Sequence, residues 1–372
     1  MAEVKRRNWF SRTFELQDPT TARLLPMEGL RGVAVTLVFL QHYSVQAELL
    51  GLASGPAAVF ARAFHNYGNM GVELFFVLSG YLIYGTLVRN APPFLAFMAR
   101  RCQRIYPAFL VVFALAFAAM TLMPARSEIP DEFLPALSFV AANLVFLPGL
   151  FPIPAVVEVA WSLSYEMFFY LVTAVLVLTT GFHALARRSR VVVLALITAA
   201  FLALSHAGIP DFPARMLPFF AGMLLAEGLG GRVPAWLGLA APVAAFVGYV
   251  TGAIPAPLLE LSQTLAFFLL CAVCFRGAGV ISRAMSWAPL RWLGNMSYSY
   301  YLLHGFVVHA AALVLGAILP GGMADWIFWL FMPVAFAATL AASAILFVGV
   351  EKPFSLKPRR AKPLERAPAG AV

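Results

Sequence analysis

The chain has 372 residues, 62% of them hydrophobic and only 12% charged, a charged share about half that of an ordinary soluble domain. Together with a mean hydropathy of +0.84, this excludes a soluble globular protein and points to a polytopic membrane protein. The formal net charge of +9 sits in short clusters between apolar runs, "KRR" (5–7), "RR" (100–101), "RRSR" (187–190) and "KPRR" (357–360). That distribution marks cytoplasmic loops and excludes a nucleic-acid-binding surface.

In chain order, residues 1–26 read as a polar, basic cytoplasmic tail, followed by an uncleaved first span that also acts as the targeting signal. A span takes about 20 mostly apolar residues. Such runs fall at 30–50, 69–88, 104–123, 161–180, 191–207, 213–229, 234–252, 258–275, 297–318 and 326–349. The run 133–151 is an eleventh candidate, and charge decides it. With the N-terminal tail inside, "ARRCQR" (99–104) opens the third span from the inside, and the mostly acidic "PARSEIPDE" (124–132) emerges outside. If 133–151 crossed, "RRSR", Arg276, Arg283 and Arg291 would lie outside; if it does not, all fall inside with the C-terminal "KPRRAK".

The expected architecture is therefore all-α, with about ten transmembrane helices and both termini cytoplasmic. A Pro-rich segment near 133–160 becomes an outside or re-entrant element packed against protein. Residues 27–354 form one membrane domain, and 355–372 a basic, disordered cytoplasmic tail. The inverted-repeat signature of many secondary transporters is missing. Cys102, Cys271 and Cys274 make no disulfide framework, and "CAVC" (271–274) lies inside an apolar run without further ligands. These cysteines read as packing residues, and no metal site is expected.

Ionisable residues inside spans are costly and face a cavity or a partner. Arg31 and His42 are eleven residues apart, which on a helix places them on one face, about 16 Å apart along the axis. Arg31 falls near the cytoplasmic surface, as a snorkelling anchor or a ligand group, and His42 near the midplane. Arg100 and Arg104, spaced i, i+4, share a face at the inner end of the third span and suit a phosphate-bearing ligand or simple topology charge. Glu73 and Glu166 fall in the outer half of their spans, and His304 lies a few turns above the cytoplasmic cluster. Trp161 and Tyr165 fit either an interfacial aromatic belt or a cavity wall. Stacked by depth, these residues outline a track from cationic groups inside, through His42, to carboxylates outside.

Six stretches in this order, "MEGLRGVAVTLVFLQHY", "GVELFFVLSGYLI", "FMARRCQRIYP", "WSLSYEMFFYL", "SYSYYLLHG" and "VEKPF", spread over 27–354, resemble the acyltransferase-3 family of integral membrane acyltransferases. The resemblance implies a ten-helix fold that moves an acyl group, commonly acetyl from acetyl-CoA, onto a hydroxyl of a sugar or other acceptor. Its Arg-x10-His motif falls on Arg31 and His42 and its Arg-x3-Arg motif on Arg100 and Arg104, both associated with catalysis and the acyl-CoA donor. Its acidic position after "GV" is Glu73, where Asp is common, and the acidic residue of its Trp-Ser-Leu segment is Glu166. No appended periplasmic hydrolase-like domain of the kind some bacterial members carry is expected.

Acyl transfer from a thioester needs a base for the acceptor hydroxyl or a nucleophile that holds the acyl group in transit. His42 is the candidate for that role. Glu166 or Glu73 would orient it or bind acceptor hydroxyls, and sequence leaves that choice open. Arg31, Arg100 and Arg104 would hold the donor's phosphates, and Trp161, Ser162, Tyr165 and His304 would line the acceptor site or cavity. The expected co-substrate is acyl-CoA, with no bound cofactor. The expected partners are a carbohydrate or small hydroxylated acceptor and the lipid bilayer of a bacterial inner membrane, with no nucleic acid and no separate protein partner evident. A decoy, "HAGIPD" (206–211), fits a phospholipid-acyltransferase pattern but falls in a short outer loop. Two other readings use the same buried charges: a transporter or flippase without acyl chemistry, and a non-catalytic subunit.

Overall fold

A computed structural model describes residues 9–16, 25–122, 128–207, 212–231, 233–277, 279–319 and 326–356. The basic clusters at 5–7 and 357–360, the tail from 357 onward, part of the 124–132 loop and Asp211 of the decoy lie outside the described residues.

The described chain is helical, with no β-strand. After a short α1 (Trp9–Phe14) come α2 (Leu25–Leu49), α3 (Gly55–Tyr67), α4 (Met70–Asn90) and α5 (Phe94–Leu122). The short α6 (Phe133–Leu144) leads to α7 (Trp161–Thr179), α8 (Arg187–His206), α9 (Phe212–Ala226), α10 (Leu237–Val250) and α11 (Ala256–Cys274). Two short helices, α12 (Val280–Met285) and α13 (Ala288–Asn295), precede α14 (Ser297–Ile318) and α15 (Trp326–Leu346), which runs into a π-helical segment, Phe347–Ser355. Each of the ten apolar runs of the sequence is occupied by a helix.

Among the described residues, six helical runs are long and apolar enough to cross a membrane, so the chain is a multi-pass membrane protein. The 12-residue α6 is only about 18 Å long, short of the roughly 30 Å hydrocarbon core. The Pro-rich stretch behind it is tied down by one side chain. Asn143 accepts a bond from the Val156 N–H at 2.9 Å and donates to the Phe139 and Pro154 carbonyls at 3.0 and 3.1 Å. Such internal satisfaction is what irregular backbone requires at membrane depth.

Helix ends follow local chemistry. Helix α4 stops at Asn90 because Ala91 turns left-handed, at φ 36°, ahead of Pro92 and Pro93, which cannot continue a helix. Prolines inside α5, α9, α10 and α15 (Pro107, Pro218, Pro242 and Pro333) are tolerated because neighbouring helices re-satisfy the freed backbone groups.

Helices α4 and α9 cross with their backbones in close contact. A Cβ on Gly80 would sit 2.1 Å from the Phe219 carbonyl oxygen, and one on Gly222 would sit 2.1 Å from that of Val77. Backbones meet there with no side chain between them, as in other small-residue membrane crossings. This contact fixes the inner face of α4, which carries both cavities described below.

On the side of the basic loops, Glu227 gathers three side chains. Arg190 donates to its carboxylate at 2.6 and 3.1 Å, Tyr84 also donates to it, and Arg187 donates to its backbone carbonyl at 2.6 Å. A second tie joins α2 to α13, where Arg291 and Asn295 donate to Glu28 at 3.1 and 3.2 Å. These basic residues are thus more than topology charges.

Candidate active site

Helices α2, α4, α5, α7 and α14 enclose a cavity of about 150 Å³. Arg31, Arg101 and Arg104 stand in its wall, together with Ser79 and Glu166. The three cationic groups are held differently. Arg104 donates to Glu351, a fully buried residue of the π-helical segment, and lies over the Tyr298 ring at 5.6 Å. Glu351 also accepts the backbone N–H of Ser299 at 3.0 Å and its hydroxyl at 2.5 Å. Arg101 lies over the rings of Phe97 and Tyr170, at 5.3 and 5.8 Å, and its buried Nε has no hydrogen-bond partner. Arg31 makes no ion pair with the carboxylates of the described residues, and its guanidinium borders the cavity. This wall is built for an anion with several acceptor oxygens.

Glu166 faces the same cavity and is pre-set by two hydroxyl donors, Ser79 at 2.6 Å and Tyr170, both on Oε1. Ser162 also lines it, its hydroxyl 2.8 Å from that of Tyr301.

His42 lies beyond this wall rather than in it. Phe75 and Tyr301 line the cavity in edge contact, with centroids 6.1 Å apart. The His304 ring lies 5.8 Å from Tyr301, and His42 lies 4.6 Å from His304 with the rings perpendicular. The fully buried His304 places Nδ1 2.8 Å from the Tyr301 carbonyl and 3.1 Å from that of Tyr300. Carbonyls only accept, so Nδ1 carries the hydrogen and Nε2 of the neutral ring has a bare lone pair. That Nε2 lies 3.2 Å from His42 Nδ1, which also faces the Val38 carbonyl at 3.0 Å. With two acceptors before it, His42 Nδ1 bears a hydrogen, which leaves the lone pair on its Nε2.

The sequence-derived candidates therefore divide. Arg31, Arg104, Glu166 and Ser162 share the cavity, and His42 and His304 form an adjacent pair. Arg100 is exposed and outside the cavity wall; helix α5 turns Arg101 inward in its place. Glu73 and Trp161 line a second, smaller cavity instead. Tyr165 lines neither of these two cavities. It is buried in an aromatic stack, 6.0 Å from Trp161, 6.4 Å from Phe76 and 5.9 Å from Phe212. Sequence reasoning missed Arg101, Ser79, Tyr170, Tyr301 and Glu351 as site residues. The stretch "VEKPF" was a signal for Glu351, since an acidic residue behind an apolar run calls for a partner.

No solved structure matches the chain. Among curated proteins, the exopolysaccharide production protein ExoZ of Rhizobium meliloti is 33% identical over 278 residues, 69% of this chain and 82% of that protein. The acyltransferase MdmB of Streptomyces mycarofaciens is 27% identical over 393 positions, covering 95% and 97% of the two chains. The peptidoglycan O-acetyltransferase OatA of Listeria monocytogenes is 25% identical over 320 residues, 75% of this chain and 48% of that one. The family described as an acyltransferase domain matches residues 26–348, which takes in every helix that builds the cavity except the ends of the bundle. The chain therefore belongs to the acyltransferase-3 family and is a membrane acyltransferase that transfers groups other than aminoacyl groups.

Proposed function

We propose that this chain transfers an acyl group, acetyl in the simplest case, from a cytoplasmic acyl-CoA to a hydroxyl of a cell-envelope or secreted carbohydrate. The observation that carries this reading is the convergence of Arg31, Arg101 and Arg104 on one cavity wall, with Glu351 answering only one of them. Two unanswered guanidiniums at a cavity call for phosphates. An exopolysaccharide production protein and a peptidoglycan O-acetyltransferase among the relatives support a glycan acceptor.

The orientation we propose is the ten-span one, with both termini inside a bacterial inner membrane. The arginine end of the cavity then faces the cytoplasm, and the first turns of α4, α7, α9 and α11 face out. Residues 27–354 act as one catalytic domain. Cysteine substitutions within 183–190 that react with a membrane-impermeant thiol reagent added outside intact cells would overturn this orientation.

In the reaction, the arginines hold the donor's phosphates and its flexible arm carries the thioester toward Phe75 and Tyr301. His42 Nε2 takes the acceptor O–H proton as the oxygen attacks the thioester carbonyl. The C–S bond then breaks, and the same proton goes to the departing thiolate. His304 acts as a positioning residue, accepting the His42 Nδ1–H and stabilising the imidazolium that forms in transit. Glu166, with Ser79 and Tyr170, presents a fixed carboxylate to the donor side of the reacting centre.

The test is acetyl transfer from radiolabelled acetyl-CoA in membranes carrying wild-type chain or His42→Ala at equal level. Label in a glycan fraction with wild type and none with His42→Ala is the expected result. Movement of unmodified substrate without label would favour a transporter.

A further inference from the structure

The second cavity is not used by the transfer chemistry above. It is enclosed by Asn69, Glu73, Trp161, Arg215, Glu260 and Thr264, contributed by the early turns of α4, α7, α9 and α11 and the residue before α4. Its volume of about 20 Å³ admits a single water- or hydroxyl-sized group, not a ring.

Its polar groups are fixed before anything enters. The Gln263 amide, with its nitrogen toward Glu73, donates to both carboxylate oxygens at 2.9 and 3.1 Å. The Arg215 guanidinium lies over the Trp161 ring at 4.5 Å. One group is left over. Thr264 is only 7% exposed, and its Oγ1 has no hydrogen-bond partner. A buried hydroxyl without a partner is rare in folded proteins and calls for a missing group.

Two features fix the position of this notch relative to the reacting centre. It shares Val72 and Phe76 with the large cavity, so one turn of α4 separates the two. Asn69 accepts a hydrogen bond at 3.1 Å from Gln41, the residue preceding His42.

Resting on the acyl-transfer reading, we propose that this notch anchors the acceptor by a neutral sugar hydroxyl next to the one acylated. A sugar hydroxyl is donor and acceptor at once. Its hydrogen goes to a carboxylate oxygen of Glu73 or Glu260, and its oxygen accepts from Thr264 Oγ1–H. Trp161 offers an apolar edge to the ring that remains outside the notch.

The experiment uses membranes of the full chain, labelled acetyl-CoA, and the producing strain's own extracellular polysaccharide stripped of its esters by alkali. Glu260→Gln and Thr264→Val are near-isosteric, and each is compared with wild type at equal chromatographically monodisperse level. The expected result is an acceptor KM raised about tenfold, the worth of roughly one hydrogen bond, with the acetyl-CoA KM unchanged. An acceptor KM within twofold of wild type in both variants overturns the inference, as does a parallel rise in both KM values. A wild-type chain that labels no glycan overturns the proposed glycan-acceptor reading and the inference together, whereas an active wild type with an unmoved acceptor KM overturns the inference alone.

Discussion

His304 Nε2 faces His42 Nδ1 at 3.2 Å, while the other nitrogen of His304 is claimed by the carbonyls of Tyr300 and Tyr301. The backbone of α14 thereby sets the tautomer of a histidine on α2. The one lone pair left uncommitted in the pair is His42 Nε2, the atom a base needs.

Removing that control should slow chemistry without weakening binding. We expect His304→Phe to lower kcat about 100-fold, the lower range for a misplaced general base, with both KM values unchanged. His304→Gln, whose amide oxygen accepts the same hydrogen bond, should retain more activity. Steady-state kinetics in detergent-solubilised protein decide this, and equal loss in both variants would argue for a packing role alone.

The arginines give a contrast between neighbours. Arg101→Gln and Arg31→Gln should each raise the acetyl-CoA KM about tenfold or more, as expected for a lost charge-assisted hydrogen bond. Arg100→Gln should leave it within twofold, since that side chain is exposed and outside the cavity. A reversed ranking would mean that the donor binds elsewhere.

This contrast also shows where sequence reasoning stops. Each apolar run marked a helix, because period and length survive any packing arrangement. The i, i+4 spacing suggested a shared face for Arg100 and Arg104, but it could not say which face the neighbours of α5 leave open, and only Arg104 reaches the cavity. Helix rotation is set by tertiary contacts such as the cation–ring stack of Arg101 on Phe97 and Tyr170. The two carboxylates failed in the same way. Glu73 and Glu166 looked equivalent by depth, yet α4 and α7 turn them into different cavities. The short helices α12 and α13 escaped because their apolar content is too brief to register as spans.

Glu351→Gln tests the far side of the donor site. Breaking a buried ion pair by removing one partner costs about 3–5 kcal/mol, and the Ser299 bonds to Glu351 would weaken as well. Because Arg104 is partly exposed, with 21% of its side chain accessible, the lower end applies. A fall in the thermal unfolding midpoint together with a raised acetyl-CoA KM is expected. An unchanged midpoint would exclude the pair as a structural tie.

Gly80→Leu should be the most damaging change away from any polar site. Its side chain would have to enter space held by the Phe219 backbone, which no rotamer change relieves. We expect loss of the monodisperse peak in detergent chromatography, while Gly51→Ala, next to open space, should remain monodisperse despite backbone strain at φ 69°.

Val72 and Phe76 have a physiological consequence. Both hollows border these two residues, so in the proposed orientation one turn of α4 stands between the arginine-lined side and the notch. On that reading, nucleotide and spent thiol would leave by the side from which they entered, and only the acyl group would change compartments. A cell using the protein in this way would decorate its exterior at the expense of cytoplasmic metabolism.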